Sequence, residues 1–326
     1  MKLRLTALQK RLCNVLQDGL PICWRPFAEI AAGLHADERD VLRQIRQLKD
    51  AGVIRRISAR INHRAFGMVS TLVAAHVPPE RLAPVAEAVS ALAGVSHHYQ
   101  RSHYYNVWFT LQAQTAEHLE TTLTKLSGRF GIDFHSLPVK RAFKLNVRFD
   151  AESEGQQLLP GPKEIPKVEL VELNQEQKHI LARLPSDLEL TAEPFAFLCS
   201  DGLKKDAVLR VIAELIERGV VRRIAAVVDY RKLGFVANVL FAAEVPQSTV
   251  IQTGERLAHL AIVSHCYERQ TFKGWPYNLY AMMHGQNMGQ VTHAVDKFTE
   301  SERIDSFELL PTAAEFKKAP VKHQLD

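Results

Sequence analysis

The sequence contains no apolar run approaching the ~20 residues that a membrane-spanning helix needs. Its start, Met1-Lys2-Leu3-Arg4-Leu5-Thr6, shows no apolar segment followed by a cleavage site, so no secretory signal is expected. Cysteine is scarce: Cys13 and Cys23 stand ten apart, and Cys199 and Cys266 stand alone. That spacing is neither a zinc pattern nor a disulfide framework, so the expectation is no metal site and a reducing cytoplasm. Acidic charge is short in only one half. Residues 1–155 carry 21 Lys+Arg against 14 Asp+Glu, a balance of +7, while residues 156–326 carry 20 against 22, a balance of −2. A tandem DNA binder would more naturally be basic in both halves, because phosphate neutralisation supplies most of its affinity. One basic half suits a basic pocket or self-association at least as well.

What is present is a long internal repeat. Ala51-Gly52-Val53-Ile54-Arg55-Arg56-Ile57 recurs as Arg218-Gly219-Val220-Val221-Arg222-Arg223-Ile224, a shift of 167. Ser96-His97-His98-Tyr99-Gln100-Arg101 recurs as Ser264-His265-Cys266-Tyr267-Glu268-Arg269 at 168, Tyr105-Asn106 as Tyr277-Asn278 at 172, and Leu137-Pro138 as Leu310-Pro311 at 173. Matches in one order with small gaps mean duplication or fusion, and a unit this long is globular rather than a solenoid repeat. Five segments follow: 1–62, 63–150, a Pro-rich charged linker at 151–173, 174–232 and 233–326.

Within copy 1, Leu8, Leu12, Val15 and Leu16 have helical spacing, Pro26 opens a second helix, and Asp37 caps a third over Glu38–Asp50 that Gly52 ends. Val53–Ile57 and Ala59–Asn62 then predict a short hairpin. Three helices and this wing make a winged helix-turn-helix, which copy 2 is expected to repeat from Asn174 to Asp229. Strand and helix patterns over 68–138 follow the order βαββαβ, so the fold class is α+β, with a ferredoxin-like sandwich after each winged helix.

A winged helix before such a sandwich resembles the AsnC/leucine-responsive regulator family over nearly all of both copies. Those regulators often carry a Tyr/Trp-Asp pair in an effector site. Here Tyr105-Asn106 and Tyr277-Asn278 have lost the acid, and the preceding strand has gained His, Tyr and Arg. Strand alternation puts His97, Tyr99 and Arg101 on one face, likewise His265, Tyr267 and Arg269, and then Asn278, Tyr280 and His284. A His or Tyr on a half-buried strand is usually structural, and an Arg usually a solvated edge. The recurrence of His-x-Tyr-x-Arg weighs toward function, though duplicates share it by descent.

The wing motif, Ser264–Arg269, Trp275-Pro276-Tyr277-Asn278-Leu279-Tyr280 and His284-Gly285 are similar to siroheme decarboxylase. His97–Arg101 with Tyr105–Leu111 is similar to that family's other subunit type, so the chain resembles the fused form associated with haem d1 biosynthesis. The resemblance implies conversion of siroheme to 12,18-didecarboxysiroheme by loss of CO2 from two acetate side chains, with no added cofactor beyond the iron the substrate carries. A polyanionic macrocycle calls for fixed cations, and the candidates are Arg55, Arg56, Arg101, Arg222, Arg223 and Arg269. His265 and His97 are the candidate acids that protonate the carbon left by CO2, with Tyr267 and Tyr99 as partners. Asn106, Tyr277, Asn278, Tyr280 and His284 complete the candidate binding set, and Trp108 and Trp275 could stack on the ring. The longer turn Gln270–Pro276 could close over a ligand, which favours copy 2 as the catalytic copy. Siroheme is the expected partner, with other haem d1 pathway proteins and a homodimer compatible with the sequence, and DNA disfavoured. Two rivals stay open: a regulator reading DNA through Glu38–Asp50 and Lys204–Glu217, and a tetrapyrrole sensor without catalysis.

Overall fold

The computed structural model describes residues 4–145, 148–158, 170–199 and 203–318. Copy 1 runs α1 (Ala7–Asp18), α2 (Pro26–Gly33), α3 (Glu38–Asp50), β1 (Ile54–Ile61), β2 (Val69–Ala75), α4 (Leu82–Ala91), β3 (Val95–Arg101), β4 (Val107–Ala113), α5 (Ala116–Phe130) and β5 (Phe134–Leu145). Copy 2 runs α6 (Gln175–Arg183), α7 (Lys205–Glu217), β6 (Val221–Val228), β7 (Ala237–Ala243), α8 (Val250–His259), β8 (Val263–Arg269), β9 (Leu279–Gly285), α9 (Met288–Glu302) and β10 (Phe307–Lys318). Local chemistry sets the helix starts. Thr6 with Gln9 and Asn174 with Gln177 form capping boxes, while Asp37, Thr115 and Asn287 accept from first-turn amides.

Among the described residues, copy 2 does not repeat the three-helix motif. Where copy 1 has α2, the described part of copy 2 has a 3-10 turn, Ala196–Leu198, and no side chain caps α7 at Lys204. Pro26 is the first helical residue of α2, while the matching Pro194-Phe195-Ala196 of copy 2 leads only into the 3-10 turn.

The wings differ from the predicted hairpins. Ile54–Ile61 is one unbroken strand, because Ser58 alone cannot supply the two or more residues of a hairpin turn. β1 pairs antiparallel with β6, the wing of the other copy, with Ile57 opposite Ala226 and Arg60 opposite Arg223. The outer edges of this ribbon are also closed across copies. Ile57 N donates to Asp187 Oδ1 at 2.8 Å, Leu188 N to Ile57 O at 2.8 Å, and Leu20 N to Ile224 O at 2.7 Å. One face of the ribbon, with Ile57, Ala59, Ile224 and Ala226, joins a single apolar core containing helices of both copies. The stretch expected as a surface linker is in part core: Ala151 and Leu158 are buried there, and 159–169 lie outside the described residues.

The two sandwiches are likewise not separate. Their strands close into one eight-stranded barrel in the order β10-β3-β4-β2-β5-β8-β9-β7. β5 is longer than the sequence pattern suggested, and it does two jobs. Phe134–Pro138 pairs with β2 of its own copy, and Val139–Leu145 pairs with β8 of the other. β10 mirrors this, with Phe307–Pro311 on β7 and Thr312–Lys318 on β3. Pro138 and Pro311, which cannot donate to a ladder, sit where each strand changes neighbours. Helices α4 and α5 cover the outside of one half through a core around Phe109 and Leu123, and α8 and α9 cover the other around Phe241 and Val295. Gly254 in α8 admits copy 1 to this outer core, since a Cβ there would lie 2.4 Å from the Phe143 ring.

A shared barrel should unfold as a unit. Leu310 is fully buried in the barrel interior, and Leu310→Ala should cost about 2–5 kcal/mol. Calorimetry should show one transition moved to lower temperature. Two separate transitions, with only one displaced, would contradict the shared core.

Candidate functional site

A fourth apolar cluster contains no helical residue and draws on both copies, which places it inside the barrel. Trp108, Tyr280, Leu137, Leu310 and Trp275 form this floor. The long turn of copy 2 therefore does not close over the charged end of the barrel, as the sequence allowed. It plugs the far end: Trp275 packs on Trp108 and Tyr105, and its Nε1 donates to Tyr280 Oη at 2.7 Å, which donates to Tyr277 O at 2.9 Å. The Tyr277 ring lies against Trp275 and its hydroxyl reaches Glu308, so it belongs to the plug.

Above the floor comes a layer of Arg and Tyr. Arg101 Nη1 donates to Leu310 O and Arg269 Nη1 to Leu137 O, both at 2.8 Å, so each copy's arginine holds the crossing strand of the other. Their guanidinium carbons lie 5.5 Å from the Tyr99 ring and 4.7 Å from the Tyr267 ring, and the Nε of each is buried without a hydrogen-bond partner. Asn106 and Asn278 are not in this layer. Each uses both ends of its amide on one backbone unit, Val77 or Val245, at 2.7–2.9 Å. They clamp strands, which is why Asn stands where an effector-binding acid would leave one end free.

The next layer holds the histidines. Ser96 Oγ meets His97 Nδ1 at 2.9 Å and Ser264 Oγ meets His265 Nδ1 at 3.1 Å. Ser264 Oγ also meets His284 Nε2 at 2.9 Å, leaving His284 Nδ1 buried without a partner. Over them lies the charged face of the wing ribbon. Arg56, Ser58 and Arg60 share that face by strand alternation, and Arg60 stands directly opposite Arg223. Like charges opposite each other destabilise a ladder, so this pair is a cost that calls for a reason.

Electrostatics ties the layers into one recess. Burial, then the charges of Arg223, Arg56 and Arg222, bring Arg60 down to about 10. Burial, then Lys318, Arg60 and Arg56, hold His97 down to about 4. Burial, then His97, Arg60, Arg222 and Arg269, hold His265 down to about 3, and burial with His265 and Lys318 holds His284 to about 3. His97, Arg60 and Arg222 nonetheless keep accessible surface. Side chains that are accessible and yet strongly desolvated form the wall of a deep recess. The shallow hollow bordered by Asp296, Arg303 and Phe307 on the outside holds none of them.

Of the predicted arginines, Arg56, Arg101, Arg222, Arg223 and Arg269 face this recess or its walls. Arg55 is held by acids, with Asp229 at 3.0 Å and Glu315 at 3.6 Å. Three cations escaped the sequence reading. Arg60 was hidden by the hairpin assumption, because only an unbroken β1 aligns it with Arg56. Arg64 acts on Tyr267 and Arg269, and Lys318 stands opposite His97. Only the cross-copy register reveals Lys318.

Comparison with known proteins agrees with this geometry. An AsnC-like ligand binding domain model matches residues 65–144 and 232–317, and a siroheme decarboxylase NirDL-like HTH domain model matches 9–55. A siroheme decarboxylase from Hydrogenobacter thermophilus is 32% identical over 96% of this chain and 94% of its own length. The chain belongs to the siroheme decarboxylase family. A NirD subunit of the family's enzyme from Pseudomonas aeruginosa is 38% identical over 45% of this chain and 97% of its own length, so that relative is one copy long. The crystal structure of a family member, the siroheme decarboxylase NirDL in co-complex with an iron-uroporphyrin III analogue, superposes with a TM-score of 0.72 at 29% identity, covering 98% of this chain and 94% of that one.

The family assignment does not favour the regulator reading. The wings are paired with each other, and Arg56 and Arg60 lie near enough to His97 to depress it. On the helices that would read a groove, Arg43 pairs with Asp40, Lys49 with Asp187, Lys205 with Glu193 and Arg210 with Glu214. Among the described residues, no helix is long and apolar enough to cross a membrane.

The histidine shifts have a sign that stability measurements can read. His97, His265 and His284 bind protons less readily folded than at their ordinary 6.5, so the unfolded chain takes up more protons below that pH. Stability should therefore be full above about pH 6.5 and fall as pH drops toward 5. His284→Gln should flatten that slope in thermal melts. A melting temperature unchanged over this window would contradict the assignment.

Proposed function

We propose that the chain is a siroheme decarboxylase, removing CO2 from two acetate side chains of siroheme to give 12,18-didecarboxysiroheme without an added cofactor. The observation that carries this reading is the recess itself: histidines of both copies face arginines of both wings, and among the described residues the charges acting on Arg60 are those of other arginines. Cations gathered at such cost suit a ligand with many carboxylates, and Arg presents a fork that matches each one. Relatives named siroheme decarboxylase, one of them seen with an iron-uroporphyrin analogue, support the same choice of ligand.

The chemistry follows from the layers. The bond between the acetate methylene and its carboxyl carbon breaks, CO2 leaves, and the electron pair spreads into the attached pyrrole. A proton then joins the methylene to make a methyl group. Ser96 and Ser264 hold Nδ1 of His97 and His265, leaving Nε2 to carry that proton. A His held near 3 or 4 is a poor proton carrier at neutral pH, so the expectation of an acid already poised near working pH needs amending. A polycarboxylate ligand supplies the missing condition, because its charge opposes the cations that depress both histidines. The histidines are thus charged by the substrate they serve. Tyr99 and Tyr267, pushed up by burial, stay protonated and orient them. Desolvation of the reacting carboxylate above an aromatic floor favours CO2 loss.

The test is anaerobic incubation with siroheme and chromatography of the product by mass. The chain should lose two CO2 units per substrate, and His265→Ala or His97→Ala should sharply reduce this. Arg60→Ala should weaken binding roughly 10- to 100-fold, as expected for one lost charge-assisted contact. Tight binding without mass loss would replace the enzyme by a sensor. Neither binding nor loss would overturn the reading.

A further inference from the structure

The two halves of the recess are built alike and charged differently. β10 lies on β3 in the same broken register as β5 on β8, so equivalent positions can be compared directly. His97 stands opposite Lys318, but His265 stands opposite Leu145. Tyr99 stands opposite Glu315, but Tyr267 stands opposite Ala142. The wings repeat the difference: Arg55 reaches across to the carboxylate of Asp229 at 3.0 Å, while Arg222 reaches across to the neutral amide of Asn62 at 3.2 Å. The His97 half therefore holds a lysine set among two acids, and the His265 half holds neither the lysine nor the acids.

The setting of Lys318 is specific. Its Nζ lies 4.5 Å from the ring of Tyr230, whose hydroxyl accepts from Asn238 at 3.0 Å. Glu315, three residues earlier on β10, is half-buried, touches Arg55 at 3.6 Å, and keeps Oε2 buried without a hydrogen-bond partner. The groups facing Lys318 are Glu315 on its own strand, Arg55 and Arg60 on β1, Asp229 and Tyr230 after β6, His97 on β3 and His284 on β9. Directly opposite residues of an antiparallel pair bring their side chains within about 5 Å at Cβ, so ammonium and imidazole can meet.

We propose that Lys318 supplies protons to His97, making the two halves of the recess unequal, so that one of the two decarboxylations depends on this lysine and the other does not. This rests on the decarboxylase reading above. In the His97 half, the carbon–carbon bond of one acetate breaks and CO2 departs. The electron pair, delocalised in the pyrrole, is captured at the methylene by the proton of His97 Nε2. Lys318 replaces that proton and is itself recharged from water. Glu315 and Asp229 act as positioning residues: their negative charge offsets the neighbouring arginines and keeps the ammonium protonated in a cationic recess.

A cation that only anchored a carboxylate would make a different prediction, and two variants separate the cases. Leucine already occupies the equivalent position, 145, so Lys318→Leu should fold. It should bind siroheme within a fewfold of wild type but slow one CO2 loss about 100-fold, the usual worth of a positioned proton donor, so that singly decarboxylated product accumulates. Lys318→Arg keeps the charge but cannot release a proton at working pH, so it should show the same accumulation. In the wild type the sensitive step alone should fail as pH rises through the titration of this lysine, which burial brings to about 8 in the ligand-free chain and bound carboxylates raise from there. Wild-type kinetics for Lys318→Arg would overturn the proton role, as would both CO2 units leaving Lys318→Leu at wild-type rates. If the wild-type chain released no CO2 from siroheme at all, the underlying functional reading would fail instead.

Discussion

Every feature of the site depends on the two copies completing each other's strands. A wing strand and a four-stranded sheet both leave edges with unpaired amides and carbonyls, and such edges must be paired or covered. Here the wing of one copy pairs with the wing of the other, and the last strand of each sheet crosses over at Pro138 or Pro311 to close a barrel. Arg101 and Arg269, each bonded to the carbonyl of the opposite copy's crossing strand, fasten the closure from inside. Once the edges are paired in this way, the orientation of the wings is fixed: their apolar face meets the helices, and their charged face meets the barrel mouth.

The recess runs against stability by design of its residues. Arg60 opposite Arg223, three histidines held neutral by burial and neighbouring cations, and guanidinium Nε atoms without partners are each unfavourable on their own. The apolar material around them is what makes this tolerable. Three outer cores and the Trp-rich floor are well buried, and strain of this kind persists where surrounding packing over-determines the geometry. On the proposed function a ligand of opposite charge recovers this cost, because each carboxylate that enters relieves several repulsions at once rather than satisfying one donor.

Much of this was legible in the sequence, and the rest fails for identifiable reasons. Period and capping placed α3 at its observed bounds, and His-x-Tyr-x-Arg on one face of a strand was a matter of alternation alone. The cross-copy pairing was not legible, since a strand that pairs within its copy and one that pairs outside it have the same local pattern. Assuming a hairpin broke β1 at Ser58 and so lost Arg60, whose charge reaches histidines of both copies. Lys318 sits in a polar stretch of unremarkable composition, and only the register opposite His97 gives it meaning. Asn106 and Asn278 misled in the other direction: their motif neighbours suggested ligand contact, but an amide can satisfy an N–H and a C=O of one residue together, and here it does.

Joining the copies in one chain changes what symmetry allows. A homodimer of one copy would have two identical halves at its shared recess, whatever the ligand. A fused pair is free to differ at each equivalent position, and here the differences fall on the wall of the recess: His284 for Gln112, Tyr230 for His63, Asp229 for Asn62, Glu315 for Ala142 and Lys318 for Leu145. Besides the histidines, tyrosines and wing arginines, the residues that stay the same include those that hold the barrel shut or orient a histidine: Ser96 and Ser264, Arg101 and Arg269, Asn106 and Asn278. A macrocycle that carries its reacting groups on one side has no twofold axis for such a recess to match. Divergence at the wall, between halves that share the same strand clamps, is an arrangement that would let a pseudo-symmetric barrel hold an unsymmetric substrate in one orientation.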